Sequence, residues 1–377
     1  MKQIQYTMYR DILLEGFELG QKTCRIGGNA FRTPDGKIHL SHGQLYLGGS
    51  DVFLEGSVMT SEDGGMTFGE AKPFAALPDT HENGIRTHYS LTPYYHKKSN
   101  TMYAIGRMTR YAGDRQPILS GKDLMPALTG TFDTEKLCFT GCERLTVPGL
   151  EEYDMVTFME PFEEEDGSLL FPIYLRNGEK KTHDVVTARY ELKGGTLIFR
   201  ELGEILKRED LNRGICEPRL TKLGNKYYMT LRSDEIGMLT QSDDGLHFSA
   251  PEIWKWDDGE ILASHNTQQA WVRHPEGLFL VYTRVTPHNH HIFRNRAPIF
   301  MARFDEERNC LVKETEVVVV PEMGARIGNF NVCQVKENEA WICVSEWMQT
   351  TGPDPYDSSV CYRYGARNRL WRTRIAW

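Results

Sequence analysis

One pattern recurs six times along the chain and narrows the folds open to it: an apolar strand, a short polar turn and a second apolar strand. The copies run Asn29 to Ser41 around Asp35-Gly36, Leu91 to Met108 around Ser99-Asn100, and Phe158 to Leu175 around Asp166-Gly167. They continue as Pro218 to Leu231 around Gly224-Asn225, Gln269 to Thr283 around Glu276-Gly277, and Phe330 to Trp347 around Glu337-Asn338. With Gly36, Asn100, Gly167, Asn225, Gly277 and Asn338 as markers, successive steps are 64, 67, 58, 52 and 61 residues. Asp-Gly, Asn and Glu-Gly turns between runs rich in Tyr, Val, Leu, Ile and Phe specify hairpins. The step length suits a four-stranded unit with its loops.

A hairpin array of this kind buries its apolar faces by stacking one unit on the next, and radial repetition does so while leaving few exposed edges. The expectation is an all-β, six-bladed β-propeller filling residues 1–377 as a single domain, with five or seven blades as alternatives. A seventh unit would have to come from Arg110 to Leu150. Amphipathic helices are scarce, and the best candidate is the short segment Glu201 to Leu211.

Composition then limits function. A formal charge of −8 over 377 residues argues against a broad basic face for nucleic acid or anionic lipid, so an anionic ligand has to meet a local cluster of arginines. Residues Met1 to Gly20 interleave Lys2, Arg10, Asp11 and Glu15 with apolar positions, which is not the pattern of a signal peptide, and no membrane span is evident. The eight cysteines are scattered without a Cys-x-x-Cys pair, which reads as reduced, buried thiols and a cytoplasmic location, with neither metal nor cofactor expected.

Ser61-Glu62-Asp63-Gly64-Gly65-Met66-Thr67-Phe68 matches the Asp-box pattern Ser-x-Asp-x-Gly-x-Thr-aromatic at every fixed position, and Ser242-Asp243-Asp244-Gly245-Leu246-His247-Phe248 is a shorter copy without the threonine. On these boxes and the repeat, the chain resembles the sialidase superfamily. The box is a folding device, with side chains that satisfy a tight turn and an aromatic that plugs the blade.

The resemblance implies a set of site residues. Cys24-Arg25-Ile26-Gly27 falls where sialidases carry an Arg-Ile-Pro segment, so Arg25 takes the place of one of three arginines that grip a substrate carboxylate. In Cys216-Glu217-Pro218-Arg219 and Tyr228 to Ser233, Glu217 falls on the glutamate that assists the nucleophile and Arg232 on the second arginine; Arg294 or Arg296 falls on the third. Asp51 lies in the loop of the acid/base aspartate, where an ordinary turn aspartate is the competing reading. The departure is in the sixth repeat: Ala325-Arg326-Ile327-Gly328-Asn329-Phe330-Asn331-Val332 holds no tyrosine nucleophile.

Further polar residues precede inner strands: Arg86 and His88 before the second hairpin, and His265 and Gln268 before the fifth. Histidine suits proton transfer near neutral pH, although a lone His88 or His265 also fits a structural hydrogen-bonded role. Glu160-Pro161 repeats the placement of Glu217-Pro218 and raises Glu160 as a second inward carboxylate. The run His288 to His291 and the acidic run Glu163 to Asp166 read as solvated loops. Three functions compete: an exo-glycosidase acting on a carboxylate-bearing sugar, a uronate-directed lyase using His, Tyr and Arg, and a propeller that only binds carbohydrate. The expected partner in each is a carbohydrate, anionic in the first two.

Overall fold

The computed structural model describes residues 4–16, 22–49, 51–74, 77–113, 115–119 and 125–377. Six antiparallel sheets follow one another along the chain and close into a six-bladed β-propeller. Blade 1 covers Thr23 to Phe74, blade 2 Thr80 to Arg144, blade 3 Met155 to Leu202, blade 4 Cys216 to Ile253 and blade 5 Ala270 to Val320. Blade 6 combines Asn331–Lys336, Glu339–Ser345 and Leu370–Ala376 with the strand Thr7–Leu14, which pairs from Thr7↔Ala376. Each of the six sequence hairpins lies within one blade. Arg110 to Leu150 adds no seventh blade, because Ala127–Asp133 and Cys138–Arg144 are the outer strands of blade 2.

Central strands packed between neighbouring blades have no solvent face, so their sequences read as continuous apolar runs rather than alternations. Glu339–Ser345 and Gly277–Tyr282 are buried at every position. The expected helix at Glu201 to Leu211 does not form. Glu201 and Leu202 end the strand Thr196–Leu202, and Leu206 exchanges backbone hydrogen bonds with Val185 of the same blade at 2.7 and 3.0 Å. Leu202, Ile205 and Leu206 mimic a helical face, but they pack as part of an extended edge. Among the described residues the α-helix is Ser358–Arg363, and no helix is long and apolar enough to cross a membrane.

The two Ser-x-Asp turns lock blades together. Asp63 accepts from the backbone N–H of Met66 and Thr67 at 2.9 Å and from the Thr67 hydroxyl at 2.6 Å, while Ser61 Oγ accepts from Gly65 N at 2.7 Å. In the shorter turn His247 takes the part of the threonine, its Nδ1 lying 2.7 Å from Asp244 Oδ2. Each turn rests on the preceding blade. A Cβ at Gly65 (φ +90°) would lie 2.3 Å from Trp341 of blade 6, and one at Gly245 (φ +78°) 2.5 Å from Leu170 of blade 3. The Gly65 carbonyl accepts from Arg372 and the Gly245 carbonyl from Thr187, so the same contact closes the ring and joins its middle.

Candidate active site

All six blades contribute to one axial cleft of about 1230 Å³. Among its lining residues nine are Lys or Arg and three are Asp or Glu, although the chain as a whole carries −8. The cationic end of the ring is therefore a local feature built against the average charge.

Glu217 owes its position to a break in the ladder. It is the second residue of Cys216–Leu223, where the register to the neighbouring strand slips between Cys216 and Arg219, and its φ is +47°. The bulge turns its carboxylate into the cleft. Arg232, opposite Cys216 in the ladder, places Nη1 2.6 Å from Glu217 Oε1. Burial alone would raise the Glu217 pKa, but the charge and hydrogen bond of Arg232, with help from Arg296 and Arg219, outweigh it and hold the carboxyl below its ordinary value.

Asn266 ties two arginines together: its side chain accepts from Arg232 Nη2 at 2.5 Å and its carbonyl from Arg296 Nε at 2.9 Å. Asp51 (φ +56°), Lys181 (φ +57°), Glu217, Asn266 (φ +48°) and Arg294 (φ +56°) all line the cleft in left-handed conformations that cost non-glycine residues free energy. The gathering of these left-handed positions around one concave surface makes the cleft the candidate site.

Arg296 and Arg326 are 5% and 4% exposed, and among the described residues neither has a carboxylate partner. Arg296 donates to backbone and amide oxygens of Asn266 and Asn329. Arg326 stacks on Trp347, 3.2 Å from the ring centroid, and its buried Nε has no hydrogen-bond partner. Burial and neighbouring guanidinium charge depress the pKa of both: Arg232 presses on Arg296, and Arg296 on Arg326. Arg294 is lowered by burial and by Arg232. A bound anion would relieve all three.

The structure thus brings together Asp51, Glu217, Arg232, Arg294, Arg296 and Gln268 of the expected set. Gln268 hydrogen-bonds the Phe330 carbonyl and accepts from Arg219 at 3.2 Å. Five residues lie outside the cleft lining. Arg25 is used up by the carbonyls of Gly16 and Asn368, which its Nη1 meets at the seam between blades 1 and 6. Arg86 and His88 share Asp79, at 2.6 and 2.9 Å, and Arg86 also stacks on Tyr111. His265 is half-buried beside the strained Asn266, and burial lowers its pKa. Glu160 turns to the other end of the axis, 3.0 Å from Arg219 Nη1.

Several cleft residues were not singled out from sequence. Arg326-Ile327-Gly328-Asn329 repeats the Arg-Ile-Gly of Arg25-Ile26-Gly27, and that repetition was the available signal for Arg326. Tyr174 of blade 3 is the one tyrosine among the described lining residues; burial raises its pKa, and Glu217 adds to the rise. No local pattern distinguishes it from core tyrosines.

No protein-family model matches the chain, and no curated protein matches it. Solved structures do. The K499G mutant of NanB sialidase from Streptococcus pneumoniae superposes with a TM-score of 0.63 at 10% identity, over 97% of this chain and 70% of that one. The α-L-arabinofuranosidase arb93a from Fusarium graminearum gives 0.57 at 12% identity over 98% of both chains. A protein of unknown function from Dyadobacter fermentans gives 0.60 at 13% identity over 98% of this chain and 99% of that one. At these identities the likeness is one of fold: the chain has the sialidase-like six-bladed propeller.

Proposed function

We propose that the chain hydrolyses glycosides of a carboxylate-bearing sugar in the axial cleft. The observation that carries this reading is the pair Arg296 and Arg326, buried without a carboxylate partner among the described residues and opening on the same cleft as Glu217 and Asp51. Leaving two guanidinium groups in that state is unfavourable unless a ligand brings the counter-charge. A sugar carboxylate, with two oxygens matched to guanidinium forks, does so.

Glu217 works in its ionised form, on the anomeric carbon or on the water that attacks it, because Arg232 holds the carboxylate charged. Asp51, from the opposite side of the ring, protonates the leaving oxygen. Tyr174 keeps its proton at rest, because burial and the Glu217 charge raise its pKa, and serves as a hydrogen-bond donor in the cleft. The strained loops at Asp51, Asn266 and Arg294 are the positioning elements. Fold neighbours that are a sialidase and an arabinofuranosidase support a glycosidase, and the acidic specificity rests on the arginines of this chain.

A lyase reading has one observation in its favour: Tyr174 and His183 both line the cleft with ring centroids 6.1 Å apart. Incubation with sialosides, galacturonosides and rhamnosyl-uronates separates the readings. New reducing ends without absorbance from an unsaturated bond support hydrolysis; growth of that absorbance replaces it with elimination. Binding of acidic glycans without any product leaves a carbohydrate-binding propeller.

A further inference from the structure

The sixfold ring divides the cleft. Blade 1 faces blade 4 across the axis, so Asp51 and Glu217 stand on opposite sides, and two walls remain between them. The wall of blades 5 and 6 carries Arg294, Arg296 and Arg326. The wall of blades 2 and 3 is cationic as well: Arg107, Arg176 and Lys181 line it, and among the described residues no Asp or Glu lines the cleft there. Arg107 has no carboxylate partner among the described residues. Arg176 donates to the Leu119 carbonyl at 3.1 Å and lies 3.5 Å from Asp154, and Lys181 is exposed in a left-handed turn. Arg213, lining the same side, is neutralised by Asp234 at 2.5 and 2.8 Å.

We infer that the cleft takes a glycan with acidic groups on both sides of the bond it cleaves, the second acidic residue lying against Arg107 and Lys181. The inference rests on the function proposed above and extends it from the sugar that is released to the sugar it is released from. Two observations lead to it. The cleft, at about 1230 Å³, exceeds the roughly 300–1,000 Å³ of sites that enclose a single drug-sized ligand, so there is room beyond one sugar ring. The extra room is walled by Arg107 and Lys181 beside the rings of Tyr174 and His183, so cationic groups stand there along with the aromatic surface that a sugar ring can pack on. An arginine and a lysine that line a shared cleft without an acidic partner among the described residues attract a second anion and disfavour a neutral aglycon by comparison.

The test compares matched probes: digalacturonate against galacturonosyl-galactose, and disialic acid against sialyllactose. Affinities are measured by titration calorimetry in a Glu217→Gln background, which slows turnover during the titration. At least one doubly acidic probe is expected to bind about tenfold or more tightly than its singly acidic counterpart. Adding Arg107→Ala, or the longer and uncharged Arg107→Gln, should reduce that ratio about tenfold at an unchanged melting temperature, and raised salt should compress it too. Equal affinity within both pairs, or a preference that survives both Arg107 variants, overturns the inference. If singly acidic probes still bind and lose affinity on Arg296→Ala, the proposed function stands without it. If no acidic probe binds, both fall together.

Discussion

The seam between blades 1 and 2 and the wall formed by blades 5 and 6 use the same residue types to opposite ends. At the seam, Arg86 and His88 converge on Asp79, Arg86 also donates to the Phe53 carbonyl at 3.0 Å, and the charge is answered within the fold. Along the wall, Arg296 and Arg326 are as deeply buried, yet their partners are carbonyls, amides and the Trp347 ring. A buried arginine with its own carboxylate is a structural tie; a buried arginine that lines the cleft without one is what the proposed acidic-sugar site rests on.

The largest test of that contrast removes the carboxylate that does chemistry. Glu217→Gln should reduce turnover by about 10²–10⁴-fold, in the range of a lost acid–base or nucleophilic group, while the amide keeps a hydrogen bond to Arg232. In the parent, the Glu217 pKa is depressed, so activity should persist down to its ordinary value of 4.5 and fall only below it. Stability follows the same sign: the contribution of the Glu217–Arg232 pair is full above pH 4.5 and is lost as pH drops through the lower folded-state value.

At the seam, Arg86→Ala should destabilise the fold by about 3–5 kcal/mol in denaturant titrations, because it strands Asp79, while activity per folded molecule stays within a few-fold. Arg296→Ala should do the reverse, weakening binding of an acidic glycoside about tenfold to a hundredfold with no loss of stability, since it deletes a charge whose burial and guanidinium neighbours outweigh the help it gets from Glu217 and Asp51. If the two variants behave alike, the contrast between seam and wall is broken. Smallest of the four, Gly65→Ala should cost about 1–3 kcal/mol in thermal or denaturant unfolding without touching the cleft, because its Cβ would overlap the Trp341 ring.

Much of the fold was legible because its determinants are local. Turn dipeptides such as Asp35-Gly36 and Asp166-Gly167 fix a hairpin within a dozen residues, and Ser61 to Phe68 specifies its own hydrogen bonds. The segment Glu201 to Leu211 misled because its leucines satisfy a helical spacing, while the pairing of Leu206 with Val185 is set by a strand already in place. In the cleft, Glu217 and Arg232 were readable together since they share one hairpin. Arg25 and Arg326 open the same Arg-Ile-Gly triplet, and only the surroundings separate them: Asn368 and Gly16 fall beside the first, Trp347 and Phe293 beside the second. Those neighbours come from distant parts of the chain, so the triplet itself carries no trace of them. Tyr174 is hidden for the same reason.

The most direct test of the acidic-sugar site is a calorimetric titration of the wild-type protein with galacturonate and N-acetylneuraminate, each beside its carboxylate methyl ester. Esterification removes the charge and changes little else. Binding of at least one acid, at least tenfold tighter than its ester, with the difference abolished by Arg296→Ala, is the predicted result. Equal affinity for acid and ester, or a preference for the acid that Arg296→Ala leaves intact, would contradict it.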